Sequence, residues 1–185
     1  MRTIFEIIKK WLPLAIATAG VCGLVYATAQ QGLRMGANDP QIQMAEDAAS
    51  ALNAGASVES VLPQPKVEIA DSLAPFLMVF DNSGKVLGSS ATLRGAVPAY
   101  PMGVLDSTRQ QGQDRVTWQP EAGVRMATVV VPYNQGFVMA GRSLTEVEKR
   151  ESQAELFSAA AMLCIWAATL VVISLGELVG RKKSA

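Results

Sequence analysis

The sequence predicts an α+β domain of antiparallel strands and flanking helices, inserted between two transmembrane α-helices. Three observations predict it. Two uncharged apolar runs lie near the ends of the 185-residue chain, 23 residues from Trp11 to Leu33 and 21 from Leu156 to Gly176. Between them, short β-favouring runs are joined by turns rich in Gly, Asn and Pro. Stretches with helical spacing precede, interrupt and follow those strands.

Each end run is long enough for a membrane, since roughly 20 residues at about 1.5 Å each cover a hydrocarbon core of about 30 Å. A core helix of a soluble protein rarely stays uncharged for about six turns. Arg2, Lys9 and Lys10 precede the first run, and Arg181, Lys182 and Lys183 follow the second. This pattern sets both termini (1–10 and 181–185) in the cytoplasm and two spans in the cell (inner) membrane, the first at 11–33 and the second within 151–180, which also holds the end of a signalling-type helix. Residues 34–150 are then extracytoplasmic, and the stretch from Gln30 to Glu155 carries 10 basic and 14 acidic residues. An alternative stays open for residues 1–29. Their basic start and the Ala27-Thr28-Ala29 sequence also read as a signal peptide cleaved before Gln30.

After the first span, Gly32 and Gly36 are expected to loosen the chain. Asp39-Pro40 reads as an N-cap with proline at the first helical position, Ile42, Ala45, Ala49 and Leu52 recur at helical spacing, and Gly55 reads as the stop. A Pro-bearing connector (62–66) leads to a short amphipathic piece, Val67 to Leu73. PFLMVF, an Asn82-Ser83-Gly84 turn and the run from Lys85 read as a hairpin. Val104 to Gln111 follows as a short helix. Arg115–Trp118, Val124–Val131 and Phe137–Arg142 then form an expected antiparallel meander. Thr145-Glu-Val-Glu148 has the pattern of a capping box, and no Pro or Gly interrupts the chain from there to Leu175. One helix of on the order of 50 Å is therefore favoured over two helices with a break at the interface.

Composition excludes several classes of function. Sixteen basic residues balance sixteen acidic ones, which offers nothing to nucleic acid. With no histidine there is no His-based triad and no His-containing metal site. Glycine-rich phosphate loops, nucleophile elbows and metal-spaced clusters are also absent, so neither catalytic residues nor a cofactor is expected.

The stretches PFLMVFDNSGKVLGSS and RVTWQPEAGVRMATVVVPYNQGFVMAGRS, in this order of elements, resemble the extracytoplasmic PAS-like (PDC, or single Cache) sensor modules between the two spans of bacterial sensor kinases and chemoreceptors. The resemblance covers roughly Asp39 to Arg150. It implies a five-stranded antiparallel sheet with one face toward a small-molecule pocket, and terminal helices that carry signals through the membrane. Such receptors continue into a HAMP linker and an output domain, whereas here only Arg181-Lys-Lys-Ser-Ala185 follows the second span. A signal would have to pass to another membrane protein. The second expectation is a non-catalytic accessory subunit of a larger membrane complex.

For a pocket, Arg94, Tyr100, Trp118, Arg125 and Tyr133 are the candidates, because arginine grips carboxylates bidentately and aromatic walls suit small ligands. Each has a plainer reading: Trp118 as core or domain contact, Arg125 as a solvated residue after the Ala122-Gly123 turn. In the spans, Ala15, Ala19, Gly23 and Ala27 recur every fourth residue, as do Ala160, Cys164 and Ala168, with Gly176 and Gly180 beyond. Such small-residue stripes let helices approach closely, within this chain, in a homodimer or against another membrane protein. Cys22 and Cys164 are expected at equal depth, roughly 12 Å inside the outer boundary, as reduced thiols. Glu177 is expected to pair with Arg181 one turn on.

Overall fold

A computed structural model describes residues 2–36 and 39–183; the side chains of residues 2–3, 33–35 and 181–183 lie outside that description. In chain order the elements are α1 (Arg2–Gly36), α2 (Asp39–Asn53), α3 (Val58–Val61), β1 (Val67–Glu68), β2 (Phe76–Asp81), β3 (Val86–Ser89), β4 (Ala91–Thr92), α4 (Met102–Gln111), β5 (Asp114–Glu121), β6 (Val124–Tyr133), β7 (Gly136–Ser143) and α5 (Thr145–Lys183). The chain divides into two compact units, one of residues 1–33 and 149–185, the other of residues 34–148.

The first unit consists of long apolar helix. An apolar window of mean hydropathy 1.7 lies within Ile4–Gly32 and one of 2.4 within Thr145–Gly180, and the two helices fit a two-span membrane protein. Helix α5 is unbroken from Thr145, so the two-helix alternative does not apply. Gly32 sits inside α1 without ending it, since a single glycine weakens a helix by about 1 kcal/mol but need not break it, and Gly36 is the last residue of α1. The capping box is not formed as its pattern suggests. The Glu148 N–H donates to Leu144 O, the Thr145 N–H donates to Ser143 Oγ, and the Glu148 carboxylate pairs with Arg125. The helix thus starts one residue earlier than the motif implies, with Ser143 as its side-chain acceptor.

The second unit is an α+β domain around a five-stranded antiparallel sheet of order β3-β2-β7-β6-β5. Sequence pattern and position agree. Strands β2, β6 and β7, inside the sheet, are near-continuous apolar runs buried on both faces. Edge strands β3 and β5 alternate in burial. The β2–β3 turn is held by Asp81, whose Oδ1 accepts from the Ser83 and Lys85 N–H groups at 2.8 and 3.0 Å and from Ser83 Oγ at 2.6 Å. Gly84 supplies the positive φ of 81°. These bonds keep the Asp81 carboxyl below its usual range: the Ser83 hydroxyl contributes most, partial burial opposes it, and the two N–H groups add.

Helix α2 covers one face with Ala45, Ala48 and Ala49 against Leu77, Val129, Val131, Val138 and Ala140. Ile42 and Leu52 pack at its margins. Asp39, the expected N-cap, is the first residue of α2, and the position before it lies outside the described residues. At its other end Ala56 N–H reaches Ala51 O and Gly55 N–H reaches Leu52 O, a Schellman motif with Gly55 at φ 95°. The opposite face carries Phe76, Met78, Phe80, Phe137 and Met139 beneath Leu105 of α4. The piece expected to be amphipathic after Lys66 begins instead as β1, which pairs in parallel with β4.

Candidate functional site

Strand register decides which candidates share a face. Trp118 pairs with Met126, and Met126, Thr128 and Val130 point to the same side as Phe76, Met78 and Phe80. Tyr100 lies over this side. Its ring stands edge-on to Trp118 at 5.2 Å between centroids and 5.9 Å from Phe80, while Trp118 lies 6.5 Å from Phe76. Tyr100 and Trp118 are 8% and 5% exposed, and Leu105 is fully buried beside them. Thr128 Oγ1 donates to Val116 O at 3.0 Å, so its 2.8 Å contact with Tyr100 is filled by the phenol donating. Burial pushes the Tyr100 pKa up to about 12; the Thr128 bond works against the shift and the Asp114 charge adds to it. The face that the resemblance implied for a pocket is therefore occupied by the domain's own side chains at Tyr100 and Trp118. The sequence could not show this, because the aromatics that fill the face come from four separate segments.

Arg94 does not reach that cluster as a free cation. It occupies a tight two-residue turn in which Leu93 and Ala96 exchange both backbone hydrogen bonds, at 2.7 and 3.1 Å. Arg94 has φ 52° and Gly95 φ 79°, as a type I′ turn requires. The turn N–H groups of Arg94 and Gly95 donate to the Glu68 carboxylate at 3.0 and 3.3 Å. Its guanidinium donates to both oxygens of Glu121, at 2.8 and 3.3 Å. Both sources of positive charge here are thus satisfied internally. The Glu121 carboxyl is held below its usual range chiefly by the Arg94 hydrogen bond, with partial burial opposing and the Arg94 charge adding.

Arg125 and Tyr133 lie elsewhere. Arg125 is next to Met126 and so points to the α2 side of the sheet, exposed as its plainer reading held, and it pairs with Glu148 of α5. Tyr133, at the far end of β6, packs half-buried against the α2 cluster. Burial first, and the Asp81 charge second, raise its pKa. Of the five candidates, the structure joins Tyr100 and Trp118 in one contact and disperses the others.

An open cleft of about 570 Å³ escaped sequence reading. Glu46, Ser50 and Asn53 of α2 form one wall, with Gln113, Val131 and Pro132 opposite. It exists because the β5 ladder begins at Asp114, opposite Val130, leaving the last residues of β6 without a neighbour on that side. Asn53 Oδ1 accepts from the Asn134 N–H at 2.8 Å, and Gln113 Oε1 accepts from Arg115 at 2.9 and 3.1 Å. Pro132 offers no N–H to that edge.

In the first unit, α1 and α5 meet along a polar and aromatic seam. Trp11 Nε1 donates to Trp166 O and Thr169 Oγ1, both at 3.1 Å, and Trp166 Nε1 donates to Ala15 O at 3.1 Å. Ser158 Oγ donates to Cys22 O at 3.3 Å, and Lys10 pairs with Glu177. The half-buried positions include Trp11, Thr18, Ala19, Cys22 and Tyr26 on α1, around buried Ala15, and Ser158, Met162, Trp166, Thr169, Ile173 and Glu177 on α5. Ala15 and Ala19 thus belong to the contact. Gly23, Ala27, Ala160, Cys164, Ala168, Gly176 and Gly180 are exposed, and a Cβ at Gly23 would meet nothing within 4 Å. The reason is rotational: a strict four-residue repeat drifts by about 40° per step on a helix of 3.6 residues per turn. The cysteines are not at equal depth either. A register that sets Ala15 against Trp166 and Cys22 against Ser158 separates Cys22 from Cys164 by roughly 9 Å along the axis. Glu177 pairs across the seam with Lys10; the expected partner, Arg181, has a side chain outside the described residues.

No protein-family model, curated protein or solved structure matches this chain.

Proposed function

We propose that this chain is a sensor-like protein of the cell (inner) membrane, with both termini cytoplasmic and an extracytoplasmic PAS-like domain. In this reading the domain binds a small ligand or a protein partner and passes the binding event through its spans to another membrane protein. One observation carries the reading. The central strand β7 leads into α5 through Leu144 alone, and the first turn of α5 is tied back to β6 twice: Leu144 N–H donates to Arg125 O at 2.9 Å, and Glu148 pairs with Arg125. A shift of β6 or β7 caused by an occupant acts directly on the first turn of a helix that continues as the apolar segment. The basic flanks at 2–10 and 181–183 support the topology. The open cleft beside β6 is the place for an occupant, since the aromatic face is already filled.

That filled face favours a second reading, in which the domain is the docking surface of a non-catalytic accessory subunit and no small ligand is involved. Gentle detergent extraction of the tagged full-length protein, with mass spectrometry of co-eluting chains and melting curves across a metabolite panel, separates the two. A compound that raises the melting temperature by mass action supports sensing. A stoichiometric membrane partner with no such compound supports the accessory reading. Elution alone with no stabilisation refutes both.

A further inference from the structure

We propose that the polar seam of α5 is an interaction surface whose partner is the chain's own first helix, so that residues 1–29 are retained as an anchor and are not removed as a leader. The inference concerns the anchor alone and holds whether or not the domain binds a ligand. Ser158, Trp166, Thr169 and Glu177 fall on one face of α5, and each meets a group of α1: Cys22 O, Ala15 O, Trp11 Nε1 and Lys10. The Trp11 and Trp166 rings stand edge to face, 5.8 Å apart at 75°. Were α1 absent, α5 would present the Trp166 indole N–H and the Glu177 carboxylate to lipid or headgroups without these partners, which a membrane disfavours. All the α1 groups involved lie between residues 10 and 22, inside the segment that cleavage before Gln30 would discard. A leader is recognised by a basic start, an apolar run and a small-residue cleavage site, none of which requires partners on a later helix. Complementary hydrogen bonds, an aromatic pair and an ion pair in one antiparallel register are properties of a permanent helix pair.

Two measurements test this. The first is the intact mass of the tagged wild-type protein purified from membranes, which should include every residue from Arg2. The second uses the Cys164→Ala, Ser158→Cys variant, oxidised in membranes with copper phenanthroline. Cys22 and the new thiol should form a reductant-sensitive crosslink within one chain, in at least half the molecules, while the wild-type pair Cys22 and Cys164 should give none. A mature chain starting at Gln30 overturns the inference. So does a retained first helix that fails to crosslink, or that crosslinks between two chains. The wild-type mass is decisive on retention even if the variant does not fold.

Discussion

Raising the pH should unlock the domain through a single phenol. Tyr100 is buried against Trp118 and Phe80, and that burial holds the neutral form in the folded state, with a pKa of about 12 against an ordinary 10.0. Below pH 10 the phenol is neutral in both states and its contribution to stability is fully present. Between pH 10 and about 12 the unfolded chain ionises while the folded one does not, and stability falls as the pH rises. At about 1.36 kcal/mol per unit, the loss grows to roughly 2.7 kcal/mol once the folded pKa is passed, about half of it by pH 11. The assay is urea unfolding of the full-length protein in detergent at pH 9 and pH 11, for wild type, Tyr100→Phe and Tyr133→Phe. Tyr100→Phe should cost about 1 kcal/mol at pH 8, because the Thr128 oxygen loses its donor, yet it should abolish most of the alkaline drop. Tyr133→Phe should keep it. Equal alkaline losses in wild type and Tyr100→Phe would refute the reasoning, because the hydroxyl would then have to be in water.

Three further outcomes are expected. Gly141→Ala places a Cβ against the Phe76 ring, 2.7 Å from Cε2, and should cost about 1–3 kcal/mol, with Phe76→Leu in the same chain recovering part of it; a variant that melts like wild type would show that the ring does not lie over Gly141. Gln41 is fully buried, and neither side-chain amide atom has a partner among the described residues, so Gln41→Met should raise stability by about 1–3 kcal/mol in thermal melts; a fall would mean that the amide is in fact hydrogen-bonded. In membranes, Ala15→Leu should abolish crosslinking between Cys22 and a cysteine at 158, whereas Gly23→Leu should leave it intact, the reverse of what the four-residue stripe suggests.

The sequence by itself determined the elements whose cause is local. An uncharged run of about twenty residues is long and apolar enough to cross a membrane wherever it lies. The Asp81–Gly84 turn carries its own acceptor and its own positive-φ glycine, so the hairpin is legible. Function was much less legible, because an arginine or a tyrosine looks the same in a list whether it meets a ligand or its own chain. Only the tertiary structure decided that Arg94 answers to Glu68 and Glu121, that Tyr100 and Trp118 close a core, and that a cleft opens where the β5 ladder starts late. The pairing of β1 with β4 joins residues 24 apart through two residues each, too little for any pattern to signal. The seam between α1 and α5 follows from the same limit. Composition makes a helix apolar, but which of its faces meets another helix depends on where Trp11, Trp166, Lys10 and Glu177 find one another, and that is a property of two helices together.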